Sequence, residues 1–74
     1  MNIRQTYLMV ERLNIIVDCI ASGFYPSRTV LMNKVLNCLG TKISIPTFYR
    51  DICFLRERMG VDIKWDSIRR GYYL

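Results

Sequence analysis

Residues Ser44 to Arg58, S-I-P-T-F-Y-R-D-I-C-F-L-R-E-R, decide how this chain folds. At about 100° per residue, Ile45, Phe48, Ile52, Leu55 and Met59 share one narrow arc, which predicts an amphipathic helix. Pro46, Thr47, Tyr49 and Arg50 lie outside that arc, all within the first two turns. Ser44 suits the N-cap position. With Pro46 unable to donate, its hydroxyl is expected to accept from the backbone N–H of Thr47. A proline in the first turn is tolerated because those N–H groups have no intrahelical partner. An apolar back and a polar, basic, aromatic front are what a helix needs to seat on a core and reach into a DNA groove.

Upstream, Thr41-Lys42-Ile43 reads as the turn into this helix, and Gly40 closes an earlier one. That earlier helix runs from Arg28 to about Leu39, with Ser27 as N-cap and Leu31, Val35, Cys38 and Leu39 inward. Phe24-Tyr25-Pro26 is a short extended connection, and Ser22-Gly23 ends a first helix. The first helix is expected from Tyr7 to about Ala21, after a polar lead-in from Met1 to Thr6. Its Glu11, Asn14 and Asp18 form a polar stripe opposite Met9, Leu13, Ile16 and Ile20, with Val10 and Val17 alongside. That apolar arc is wider than one helix contact requires. It suits packing against both other helices and the hairpin, or partly an oligomer or domain interface.

Downstream of Met59-Gly60 the period changes. Val61, Ile63 and Trp65 alternate with Asp62, Lys64 and Asp66, the pattern of a half-buried strand. Ser67 to Gly71 is a polar turn carrying Arg69 and Arg70. Tyr72-Tyr73-Leu74 returns as the partner strand, with Tyr72 and Leu74 on the core side. The order predicts an α+β fold: a winged helix-turn-helix of three helices followed by a two-stranded β-hairpin wing. It forms a single domain over residues 1–74.

Composition narrows the function. Seventy-four residues leave no room for a second core. A 51% hydrophobic content with nine aromatics argues for a packed globule rather than a disordered tail. The net charge of +5 is usual for a nucleic-acid binder, though small domains reach it by chance. Three cysteines (Cys19, Cys38, Cys53), no C-x-x-C and no histidine leave neither zinc-finger spacing nor imidazole ligands. Each cysteine sits in an apolar helical pattern and is expected to be a small buried hydrophobe in a reducing cytosol. The longest apolar region, Tyr7 to Ala21, is interrupted by Glu11, Arg12, Asn14 and Asp18, so neither a membrane span nor a signal peptide is expected. The expected location is cytoplasmic. No enzyme is expected either: there is no histidine for acid–base work, no cysteine with an evident base, and no glycine-rich phosphate loop. No cofactor or metal is expected.

Several stretches in order carry a family resemblance. Thr47-Phe48-Tyr49-Arg50-Asp51-Ile52, Leu55-Arg56-Glu57, Gly60-Val61-Asp62-Ile63-Lys64-Trp65-Asp66 and Arg70-Gly71-Tyr72-Tyr73-Leu74 together resemble the N-terminal DNA-binding domain of WYL-domain transcriptional regulators, a DeoR-like winged helix-turn-helix. The match is close over the last thirty residues and loose over the first two helices, through a Tyr-Pro-Ser lead into the second. A lone T-x-x-R-D would be weak; the ordered set across a helix and both strands is specific. The resemblance implies double-stranded DNA as partner, transcription regulation as role and a homodimer in the full-length context. Two departures stand out. Pro46 replaces the basic residue the family usually has before the threonine, removing one phosphate contact. The WYL sensor domain is expected to be absent, since Leu74 falls where the winged helix finishes.

On this reading Arg50 reaches phosphate or guanine O6/N7, while Thr47 and Tyr49 offer hydroxyls beside the capping Ser44. A solvated or carboxylate-paired arginine and core-edge packing of Tyr49 are the plainer alternatives. Asp51 is expected at the side of the helix, orienting an arginine, with Arg50 or a residue of the second helix as candidates. Ser27 and Arg28 open the second helix, where exposed N–H groups and a basic side chain hold the DNA backbone. Lys42 is in reach of a phosphate, or simply solvated. Arg69 and Arg70 at the wing tip suit an adjacent minor groove. Arg56 and Arg58 suit helix-end electrostatics and pairing with Glu57 or Asp62. Phe54 falls off the core arc, either covered by the wing strand or facing another domain. Trp65 reads as wing-to-helix packing. The competing reading is a winged helix used for protein interaction or dimerisation; general RNA binding lacks an aromatic stacking sheet.

Overall fold

A computed structural model describes residues 3–74 as three helices and a hairpin. The helices are α1 (Ile3–Ala21), α2 (Arg28–Leu39) and α3 (Ile45–Glu57). Strands β1 (Lys64–Asp66) and β2 (Gly71–Tyr73) pair antiparallel, Trp65 opposite Tyr72. The arrangement is winged-helix-like, of the α+β class.

Local chemistry explains the helix boundaries. Ser27 Oγ accepts from Val30 N–H and Ser44 Oγ from Thr47 N–H, the expected caps, with Pro46 in the first turn of α3. Gly40, at φ +69°, ends α2 in the left-handed conformation that glycine adopts without strain. At the amino end the lead-in is shorter than expected. Met1 and Asn2 lie outside the described residues, but α1 is already helical at Ile3. No glycine or proline interrupts Ile3 to Ala21, and Ile3, Tyr7 and Val10 keep the helical period.

One cluster holds these elements together: Leu13, Ile16 and Ile20 of α1, Leu31 and Val35 of α2, and Phe48, Ile52 and Leu55 of α3, joined by Ile43, Ile63 and Tyr72. Seven of these side chains are almost completely buried. Each contributes roughly 1.5–3 kcal/mol, against about 1 kcal/mol net for a hydrogen bond, so this packing rather than the hairpin ladder stabilises the fold.

Several inward assignments fail at the edges of the pattern. Ile45 and Met59, the ends of the α3 arc, are exposed: Ile45 borders an open groove beside α2, and Gly60 (φ +66°) carries the chain away after the last turn. The α2 contact stripe runs Leu31, Val35, Leu39 and Met32, leaving Cys38 on its outer flank. Cys53 is exposed as well and Cys19 half-buried, so the cysteines are not the buried hydrophobes expected. Leu74 lies past the last strand pair, Lys64 opposite Tyr73, and is half-exposed rather than inward. The first strand is shorter than the alternation implied. Ile63 N–H donates to the carbonyl of Val61, so residues 61–63 turn tightly instead of extending.

The connection between α1 and α2 also departs from an extended path. Tyr25 takes φ +54°, and its carbonyl stands where a side chain on Gly71 would have to go. The next carbonyl, of Pro26, accepts from Tyr72 N–H at 2.9 Å. A single backbone bond therefore fixes the hairpin to the entrance of α2.

Candidate nucleic-acid interface

The α3 front begins at its cap. Ser44 Oγ accepts from Thr47 N–H at 3.3 Å and donates to Thr47 Oγ1 at 2.9 Å, so Ser44 and Thr47 form one hydroxyl pair at the helix start. Backbone N–H groups of this first turn lack helical partners and carry the positive end of the helix dipole. Tyr49 and Arg50 are exposed one turn on. Arg50 has no ion pair among the described residues.

The start of α2 meets this front. Arg28 Nη1 donates to Tyr49 Oη at 3.3 Å. Tyr49 also lies among the groups that act on the Tyr72 hydroxyl of β2. Burial, then the neighbouring Tyr49, pushes the Tyr72 hydroxyl above the ordinary tyrosine value, while Arg56 and Arg28 pull the other way. The entrance of α2, the front of α3 and the root of the wing thus meet around Arg28, Tyr49 and Tyr72, with both tyrosine rings against Phe48. Beside them, Arg28, Thr29, Asn33, Leu36, Lys42 and Ile45 line a shallow groove of about 210 Å³ between α2 and the start of α3.

The wing tip is built around Asp66. Its Oδ1 accepts from the N–H groups of Ile68 and Arg69, both at 2.9 Å, and its Oδ2 pairs with Arg69 Nη1 at 3.0 Å. The Arg69 backbone N–H is the largest of the influences holding the Asp66 carboxyl below its usual value. Arg69 also lies over the Tyr25 ring, 4.5 Å from its centroid. Arg69 therefore braces the turn against the α1–α2 connection. Arg70, at φ +54°, and Ile68, 92% exposed, project from it.

Asp51 sits elsewhere than expected. It is 2% exposed, and Arg12 of α1 donates to both its carboxylate oxygens through Nε and Nη2, the latter at 3.0 Å. Neither Arg50 nor a residue of α2 is its partner. Arg56 likewise turns from the acidic neighbours expected and donates through Nε to the Ile63 carbonyl at 2.9 Å. Phe54 is half-buried in a groove against Met9, Val10 and Leu13 of α1, not under a wing strand. Trp65 is half-exposed, and its edge-on partner is Tyr72, opposite it within the hairpin, rather than the helix surface expected.

Thr29, Asn33 and Ile45, all facing the α2–α3 groove, were not foreseen as interface residues. Their signal was available: Thr29 and Asn33 are one helical turn apart, next to Arg28. Among the described residues no group of His, Cys, Asp and Glu could hold a metal ion, and no helix is long and apolar enough to cross a membrane. No protein-family model, curated protein or solved structure matches the chain.

Proposed function

We propose that this chain reads double-stranded DNA in a sequence-specific way, as the DNA-binding module of a cytoplasmic transcriptional regulator. The start of α3 lies in the major groove and the wing lies on the backbone or in the neighbouring minor groove. The observation that carries this is the exposed start of α3, where Arg50 stands in solvent and Tyr49 is hydrogen-bonded to Arg28, while Phe48, Ile52 and Leu55 are buried behind them. The net charge of +5 and the resemblance to the WYL-regulator winged helix support the same reading.

The residues divide by chemistry. Arg50 reaches phosphate or a guanine edge, with Thr47 and Tyr49 offering hydroxyls. Ser44 caps α3 and leaves its first-turn N–H groups facing phosphate. Ser27 and Arg28 do the same at α2, with Lys42 alongside. Arg70 enters the minor groove, and Arg69 positions it by bracing the turn. No catalytic step is assigned.

If five or six phosphates are neutralised per domain, log K against log salt falls with a slope near −5. Fluorescence anisotropy of the purified chain on duplex DNA measures it, and selection from random duplexes gives the preferred site. Salt-independent retention, or none at low salt, would sink the proposal. A protein-interaction role is favoured by the exposed apolar residues of α1. Charge reversal at Arg50 and Arg70 separates the two: DNA retention is lost and self-association is spared.

A further inference from the structure

The amino-terminal half of α1 carries an apolar strip that no other element among the described residues covers. Ile3 is 89% exposed, Tyr7 63% and Val10 51%. Setting Ile3 at zero and stepping about 100° per residue, Tyr7 and Val10 fall within about 40° of it. Arg4 and Glu11 lie together on one flank, about 80–100° round. On the other flank the strip continues into Phe54 and Met59 across the groove beside Val10.

We infer that this strip pairs with a second copy of the chain, α1 running antiparallel to its mate about a two-fold axis at Tyr7. Ile3 and Val10 are seven residues apart, and so are Arg4 and Glu11. An axis at Tyr7 brings Ile3 opposite Val10 of the partner subunit and Arg4 opposite Glu11 of the partner subunit, each within about one residue rise of 1.5 Å. In an antiparallel pair each flank meets its own counterpart. Cation then anion along one helix therefore meets anion then cation along the other, giving two symmetric ion pairs. In a parallel pair this flank would instead face the opposite flank of the mate, lined by Thr6, Met9 and Leu13, and neither charge would meet a partner. Tyr7, one helical turn before Glu11, packs on its symmetry mate. Asn14 continues the strip but falls beyond Ile3 of the partner subunit and stays in water.

The charges select this occupant. One cation and one anion on the flank sum to zero, which suits neither an anionic membrane surface nor an acidic protein. They complement their own sequence reversed, the condition for an isologous interface. With Met59 included, the exposed apolar area covered in two copies is about 1,000 Å², the lower bound for a specific contact.

Pairing goes beyond DNA reading, and its test needs no DNA. In sedimentation equilibrium at low salt, the wild-type chain dimerises at tens of micromolar. Arg4→Glu and Glu11→Arg each weaken the dimer roughly tenfold or more, by turning attraction into repulsion. The R4E/E11R double variant recovers the wild-type constant. Val10→Lys stays monomeric with unchanged circular dichroism, which shows that the helix survives. A wild-type monomer at several hundred micromolar overturns the pairing, as do single charge variants as tight as wild type, or a double variant no tighter than the singles. Arg50 and Arg70 are untouched throughout, so a dimer that ignores DNA would refute the DNA reading and leave this pairing intact.

Discussion

Asp51 has a charged side chain at 2% exposure on the helix that faces outward two residues earlier. Its two-pronged contact with Arg12 compensates the loss of water, since a buried charge without a partner is strongly unfavourable. Replacing Arg12 by Met leaves that carboxylate stranded, and urea unfolding is expected to show a loss of about 3 kcal/mol. Adding Asp51→Leu should recover most of it, because an apolar pair of similar volume asks for no such compensation. Arg50 is the contrasting case, exposed and on the opposite role. Arg50→Ala leaves the unfolding midpoint unchanged and weakens binding to the selected DNA site by about 1–3 kcal/mol, read by anisotropy. The two residues also mark what a sequence discloses. Ser44 and Ser27 cap bonds reach three residues along the chain, so spacing alone exposes them. Arg12 and Asp51 are 39 residues apart, and nothing local joins them. A signal did exist: an acid on the inner side of α3 needs a cation, and Arg12 lies among apolar residues on α1.

At the scale of elements, the wing shows why pattern alone misjudged the hairpin. Alternation at Val61, Ile63 and Trp65 gave the facing correctly for Ile63 but not the length of the strand, because a tight turn between Val61 and Ile63 leaves no polarity trace. The helices were more legible, since their core faces repeat several times and their caps are local. Two weak strands cannot stand alone. Here the Pro26–Tyr72 backbone bond and the close passage of Tyr25 past Gly71 hold them to the helices. A Cβ at Gly71 would lie 1.8 Å from the Tyr25 carbonyl oxygen and 2.4 Å from its carbonyl carbon, backbone that cannot swing aside. Gly71→Ala is therefore expected to destabilise by about 2–3 kcal/mol, measured by thermal unfolding, and to lift the wing from its seat. The turn itself responds to acid. Asp66 has a depressed carboxyl, so its ordering of Ile68 and Arg69 is present above the ordinary value of 3.8 and disappears as pH falls through the lower folded value. Amide shifts of Ile68 and Arg69 in an acid titration should follow that loss while the helical amides stay in place.

Across the whole molecule, one buried ion pair reaches from α1 to α3. Both helices contribute to one hydrophobic cluster, and the Arg12–Asp51 pair bolts α1 to the midpoint of α3. That bolt leaves α3 little freedom to roll or slide against the rest of the globule. Two copies joined through α1 would then carry their DNA-reading helices as fixed prongs on a rigid frame, with a set gap and a set angle. Such a fork cannot stretch to follow a target whose halves are moved apart. Inserting about five base pairs between the halves turns one of them to the far side of the duplex, where the second prong meets empty solvent. Inserting about ten brings it back to the right side but too far away. Affinity should fall in both cases to that of a single prong, so the buried ion pair becomes a ruler for the operator.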